Sequence, residues 1–283
     1  MSTDADPAAI SETNFGDELA ALRVDIDRID LAMHELLIER STIIDRLIAI
    51  KAAQGGGSAF RPAREAEMMR RLVERHAGRL PIDTVESIWR IIISTFTHLQ
   101  APYAVHADMA GGDAAMRDSA RFHFGFTVPL HAHAGPDEVL RAVAAATGDL
   151  GLVRIDDGKQ APWWLGCTGP DAPKVIARLP FVERPDHPAG IPVLVVARPV
   201  AAAAARDVVL YSVRLSPPLT RFDEAVRDLG GDILVEAEQD GPVLLAAFPG
   251  TITPERIGSA FGTTENAFEL AEIGSHAARF ELD

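Results

Sequence analysis

Residues 17–53 read DELAALRVDIDRIDLAMHELLIERSTIIDRLIAIKAA, without a proline or a glycine. Apolar side chains recur in a 4-3 rhythm at Leu22, Ile26, Ile29, Met33 and Leu36, and again at Ile43, Leu47 and Ile50. That spacing predicts one helix of about 35 residues, roughly 50 Å long at 1.5 Å per residue. Such a helix outruns a small domain, so part of its seam is expected to pack on another chain. The slot between Leu36 and Ile43 falls on Arg40. A guanidinium in an apolar seam is costly unless an anion meets it, which makes Arg40 the first candidate functional residue.

Two further cations share its flank. Lys51 lies eleven residues after Arg40, almost three whole turns, which puts their Cα atoms about 16 Å apart on one face. Two long side chains leaning together leave a gap the size of a small dicarboxylate. Arg23 falls on the same flank four heptads before Lys51. Within one chain it is too distant to reach the same ligand, but the Arg23 of a second chain can reach it in an antiparallel or crossed dimer. The competing readings are a solvated seam edge for Arg23 and Lys51, and an ion pair with Glu65 or Glu67 for Arg40. The cation count favours a specific role for Lys51: of 27 basic residues only Lys51, Lys159 and Lys174 are lysines.

Composition narrows the partners. A net charge of −14 argues against nucleic acid and against anionic membrane surfaces. Cys167 is the single cysteine, so disulfides and cysteine-based zinc sites are excluded. Met1–Gly16 lacks the basic flank and apolar core of a signal peptide, and no segment reaches membrane-spanning length, so the expected compartment is the cytoplasm. With 283 residues, about two domains are expected.

Outward from the long helix, residues 1–16 are read as a disordered tail, and Gln54–Ser58, with three glycines, as a loop. Arg61-Pro-Ala-Arg-Glu65 opens a second helix that runs to Ala77. A third starts near Pro81 or Asp83, carries Val85, Trp89, Ile92, Phe96 and Leu99 on its apolar face, and ends near Gln100 before Pro102. Residues 17–101 thus form an all-α module of three helices. After a linker at 102–119 the pattern changes to an α/β alternation over 120–200. There Phe122–Val128, Asp149–Ile155, Trp163–Gly166 and Pro192–Ala197 read as strands, and Pro136–Thr147 and Asp171–Leu179 as helices. Ala201–Ala205 reads as a small-residue hinge. Residues 206–283 then run strand, helix, strand, strand, helix, strand, the ferredoxin-like order.

The helical spacing carries a family resemblance. Leu22-Arg23, Glu39-Arg40, Lys51, Arg61-Pro-Ala-Arg-Glu65 and Ile91-Ile-Ile93 ending at Gln100 together resemble the all-helical class of chorismate mutases. The resemblance implies a three-helix subunit in an intertwined homodimer, each active site shared between chains, with chorismate as substrate and no cofactor or metal. It implies that Arg40 and the partner's Arg23 bind the substrate carboxylates. Lys51 and Gln100 would hydrogen-bond the breaking ether oxygen, and Glu65 the ring hydroxyl. The chemistry fits these residue types, because a pericyclic rearrangement needs a clamped dianion and donors on the departing oxygen rather than a nucleophile. Gln100 is neutral at every pH, so activity should not require acid. An arginine and a glutamate of some members are replaced here by Met68 and Met69, and a serine by Phe96.

In some bacteria such a domain is fused to prephenate dehydratase and a phenylalanine-sensing ACT module. Residues 120–283 resemble a shortened version of that pair, an α/β dehydratase-like remnant followed by an ACT-like module. The Thr-Arg-Phe signature expected before the strand near Val193 reads Gly190-Ile191-Pro192, and the Asn-Ser turn is absent after Leu152-Val153-Arg154. Dehydration is therefore not expected; an aromatic amino acid is the candidate effector. The alternatives are an isochorismate pyruvate lyase on the same scaffold, and a non-catalytic dimerising amino-acid sensor. His131-Ala-His133 is a pair without a third metal ligand, and Gly166-Cys-Thr-Gly169 reads as a turn. Phosphate-loop, dinucleotide and hydrolase motifs are absent.

Overall fold

In the computed structural model of the chain, residues 7–53, 60–110, 112–155, 161–199, 205–215, 222–260 and 268–282 are described, with side chains in the first stretch from Phe15 to Ile50. The Gln54–Ser58 loop and Ala201–Ala204 lie outside the described residues. The chain divides into two compact units, Met1–Gly56 and Gly57–Asp283.

The first unit is a single helix, α1, over Pro7–Ala53. It starts ten residues before Asp17, so from Pro7 onward the expected tail is helical. Its apolar seam is uncovered: Leu22, Ile26, Met33 and Leu36 are each more than half exposed, and Ile29, Ile43 and Ile50 are exposed too. A 47-residue helix with this seam in water lacks the tertiary packing that normally stabilises helices.

The second unit opens with α2 (Pro62–Arg75) and α3 (Ile82–Gln100). Its sheet strands are β1 (Val105–Asp108), β2 (Leu130–His133), β3 (Leu150–Arg154), β4 (Lys174–Leu179), β6 (Val193–Ala197), β7 (Val208–Leu215), β8 (Asp232–Glu238), β9 (Pro242–Pro249) and β10 (Phe268–His276). They form one nine-stranded sheet in the order β2-β1-β3-β6-β4-β10-β7-β9-β8. Short β5 (Val182–Glu183) and β11 (Phe280–Glu281) pair separately. Helices α4 (Ala114–Phe124), α5 (Pro136–Ala145), α6 (Phe222–Asp228) and α7 (Pro254–Ala260) cover the faces.

The two halves of the sheet obey different rules. On the left, β1, β2 and β3 are parallel and linked through α4 and α5, as a crossover connection requires. β6, antiparallel to both β3 and β4, is buried at all five positions, as a strand covered on both faces must be. On the right, β7 to β10 are antiparallel in the order β10-β7-β9-β8, the ferredoxin-like arrangement the sequence order predicts. The halves join where β10 runs parallel to β4, at the single pair Gly274 and Val175. Gly274 has φ +139°, and a Cβ there would stand 2.1 Å from the Val175 carbonyl oxygen. Only glycine lets the two backbones approach in this way.

Several local expectations are corrected. Phe122–Val128 is not a strand. Met116, Ala120 and Phe124, each four residues apart, are all buried, and Asp113 Oδ1 caps the helix by accepting from the Met116 amide at 3.1 Å. Gly125 at φ 67° then ends α4. The expected linker therefore holds β1 and the start of α4, and β2 was also missed; both strands are only four residues long. Trp163–Cys167 is a 3₁₀ turn rather than a strand. The segment read as a helix over Asp171–Leu179 forms β4, where β-branched Val175 and Ile176 lie between β6 and β10.

The third helix is helical as expected, but it buries a different face. Its fully covered residues are Val85, Glu86, Arg90, Ile93, Ser94 and Thr97. Of the expected apolar stripe, only Val85 is buried; Trp89, Ile92 and Phe96 are half-buried, and Leu99 is 55% exposed. The side that packs on α4 is thus the polar one, because its charges find partners inside the unit.

Candidate active site

The expected site residues divide between the two units. Arg23 is exposed on α1, and Arg40 is half-buried on the same helix. Lys51 lies in the last turn of α1, with its side chain outside the described residues. Glu65 and Gln100 belong to the second unit, on α2 and α3.

Glu65 lies in the first turn of α2, where its amide donates to the Arg61 carbonyl at 3.0 Å and the positive helix end favours its carboxylate. The residue is only 4% exposed, and its Oε2 accepts from Arg90 Nη1 at 2.7 Å. Arg90, fully buried, also donates through Nη2 to the His123 carbonyl at 3.1 Å and lies 5.0 Å from the Phe181 ring centroid. Burial, and then the Glu65 carboxylate, hold the Tyr103 phenol well above its ordinary range. One turn before Arg90, Glu86 accepts from Arg184 Nη1 at 2.9 Å and meets His187 Nε2 at 3.3 Å, while Arg184 also pairs with Asp83. Glu67, the other acid considered for Arg40, is engaged by Arg70 and Arg71. These bonds, strongest with Arg70, hold its carboxyl down at about 2.

Gln100 is half-buried, and its side-chain amide donates to the Phe96 carbonyl at 3.0 Å. Met69 is fully buried in the core with Phe60 and Leu72, and Met68 packs against that cluster. The two methionines therefore serve packing.

The residues that sequence reasoning missed are the partners: Arg90, Glu86, His123, Arg184 and His187. Arg90 offered one signal, since it falls four residues after Glu86 among apolar neighbours. Nothing in spacing tied either residue to positions near 120 or 185. The same holds for the His131 and His133 pair. Parallel pairing of β1 with β2 brings a third imidazole, His106, into the group. His106 Nε2 donates to Asp149 Oδ2 at 3.1 Å, which leaves Nδ1 to accept from His133 Nε2 at 2.9 Å. Burial, and then His106, push the His133 pKa down. Among the described residues no group of three or more histidines, cysteines or carboxylates is arranged to hold a metal ion, and no helix is long and apolar enough to cross a membrane.

Three helices with this spacing define a class. Residues 22–101 match the family described as chorismate mutase type II. Among curated proteins, the chain is 31% identical over 148 residues to a bifunctional chorismate mutase/prephenate dehydratase of Pseudomonas aeruginosa, covering 51% of this chain and 40% of the relative. It is 29% identical over 148 residues, with the same coverage, to the one of Stutzerimonas stutzeri. With the one of Neisseria gonorrhoeae it is 25% identical over 135 residues, 48% of this chain and 36% of that one. The matches thus span about two fifths of these relatives. Among solved structures, a prephenate dehydratase from Streptococcus mutans aligns with 63% of this chain and 99% of its own, at a TM-score of 0.41 and 11% identity.

Proposed function

We propose that the protein is a chorismate mutase, converting chorismate to prephenate for aromatic amino-acid synthesis. The observation that carries the reading is the family match across residues 22–101, which takes in Arg23, Arg40, Lys51, Glu65 and Gln100 together. In this reading the exposed seam of α1 packs on a second copy, forming a homodimer. Arg40 and the partner's Arg23 clamp the two carboxylates of the substrate in a near-attack form. Lys51 and Gln100 donate to the ether oxygen as its bond breaks, and losing one such donor costs about 3–4 kcal/mol in the barrier. Glu65 is already bound to Arg90, so its share in holding the ring hydroxyl is smaller than the resemblance implies. The C-terminal α/β region, residues 120–283, is assigned a regulatory or structural role in the cytoplasm, without dehydratase activity, on the missing signature residues near Val193.

A second reading is favoured by the engagement of Glu65 and by Met68 and Met69: a non-catalytic dimeriser that senses an amino acid. Incubating the full chain with chorismate and, separately, with isochorismate discriminates the readings. Loss of chorismate that disappears in Arg40→Ala supports the mutase. Turnover of isochorismate alone makes it the pyruvate lyase, and turnover of neither leaves the sensor.

A further inference from the structure

Three imidazoles gather at the left margin of the sheet, where β2 is the outermost strand. His106 of β1 and His131 of β2 are Cα partners, and their rings stack with centroids 5.2 Å apart. His133, two residues on, lies on the same face by strand alternation, its ring 5.1 Å from that of His106. Helix α5 covers this face. Gly151 is the Cα partner of His106 across β1 and β3, and a Cβ there would stand 2.6 Å from Val139 Cγ1.

Charged groups surround the rings from each neighbouring element. Asp149, just before β3, also accepts from the Ala104 amide at 2.9 Å. Asp108 of β1 is the Cα partner of His133 and accepts from the Ala110 amide at 3.3 Å. Glu138 and Arg141 come from α5; Glu138 Oε2 accepts from the Ala134 amide at 3.1 Å and stands 3.8 Å from His133 Nδ1.

Asp149, His106, His133 and Glu138 thus form a line, with successive contacts of 3.1, 2.9 and 3.8 Å. With both rings neutral, two ring hydrogens serve three contacts. His106 Nε2 must donate to the Asp149 carboxylate and His133 Nε2 to His106 Nδ1, so His133 Nδ1 is a bare acceptor facing a second acceptor. One added proton suits all three contacts. Each outer nitrogen then carries a hydrogen toward a carboxylate, and one hydrogen is shared between the inner pair. A second added proton has no place: both inner nitrogens would carry hydrogens across the 2.9 Å contact, and two positive rings would stand side by side. Asp108, Asp149 and Glu138 favour the first proton; Arg141 and a charged His131 oppose the second. Because the rings share a proton, both steps belong to the pair rather than to either residue. Burial, and then His106, hold the His133 pKa down, which puts the second step on the acid side of the ordinary histidine range.

We propose that His106 and His133 form a proton-operated clasp on the sheet edge: the first proton tightens the hold on β2, and the second releases it. The clasp ties β2 to the start of β3 through Asp149 and to α5 through Glu138. It is separate from the mutase residues and does not rest on that reading.

Two backbone bonds report the attachment of β2: the Val105 amide donates to the Pro129 carbonyl at 2.9 Å, and the Met109 amide to the His133 carbonyl at 3.0 Å. The test follows their hydrogen exchange in the full chain by NMR, corrected for its intrinsic pH dependence, beside the ring-nitrogen shifts of the histidines. Protection of both amides should hold or rise through the first step and fall at least about tenfold through the second, while β6 stays protected. His106→Gln keeps a donor for Asp149 and cannot be charged, so its β2 attachment should show no such fall. Circular dichroism establishes that this variant is folded; if it is not, the wild-type ring titration decides alone. His106 and His133 titrating as independent groups, an equal fall of protection in β6, or the same acid fall in folded His106→Gln each overturns the proposal.

Discussion

Arg90 shows how a single buried charge can dominate its surroundings. With Arg90 in place, the Glu65 carboxylate is closed from water yet paired at 2.7 Å. Replacing Arg90 with leucine leaves an unpaired buried carboxylate, expected to cost about 3–5 kcal/mol. Adding Glu65→Leu removes that carboxylate and should recover most of the loss. Urea midpoints of the two variants check this, and a double variant as unstable as the single one would contradict it. His276 sets a pH dependence. Its pKa falls from an ordinary 6.5 to about 4 in the folded protein, so below pH 6.5 the unfolded chain takes up a proton that the folded chain refuses. Stability should therefore decline as pH drops from about 6.5 to 4, by roughly 3 kcal/mol for this group. His123, fully buried with both ring nitrogens unpartnered among the described residues, acts in the same direction. Denaturant unfolding of wild type and His276→Gln across that range should show a shallower decline in the variant.

At the scale of elements, periodicity spoke clearly where the pattern was long and fell silent where it was short. The seam of α1 was readable because eight apolar positions repeat over four heptads. The right-hand antiparallel strands were readable because each runs seven residues or more. β1 and β2 were not, being four residues long with few apolar side chains to mark them. α3 misled in another way: the hydrophobic side is only half covered, and the side that packs is polar, since pairing of Glu86 and Arg90 depends on residues far along the chain. Gly274 is the element-scale pivot. Gly274→Ala forces a Cβ against the Val175 backbone at a φ that alanine rarely adopts. It should destabilise the protein by roughly 2 kcal/mol or more, seen as a lowered melting temperature with a loss of cooperativity.

For the whole molecule, the sequence suggests a helical module followed by two α/β modules, whereas in the folded chain α2 and α3 share their unit with a single continuous sheet. Module boundaries rest on changes in local pattern, and local pattern says nothing about which surfaces meet. Residues 1–103 alone would lose Arg184 and His187, leaving Glu86 uncompensated, and would uncover Met69, Leu72 and Val73. That fragment is expected to show helical circular dichroism without a sigmoidal denaturant transition; a cooperative transition like that of the full chain would refute this. The candidate site was legible as a set of cations on one helix. The network that holds Glu65 was not, because its partners come from positions near 90 and 123.

The one-pair junction between β4 and β10 also has a meaning in time. Strands β1 to β4 and β6 lie within residues 105–197 and complete their half of the nine-stranded sheet among themselves. During synthesis that half can assemble before β10, at residues 268–276, has left the ribosome. Until then the outer edge of β4 is an open template for the edges of other nascent chains, and Lys174 and Arg178, charged residues on that edge, are the kind that discourage such pairing.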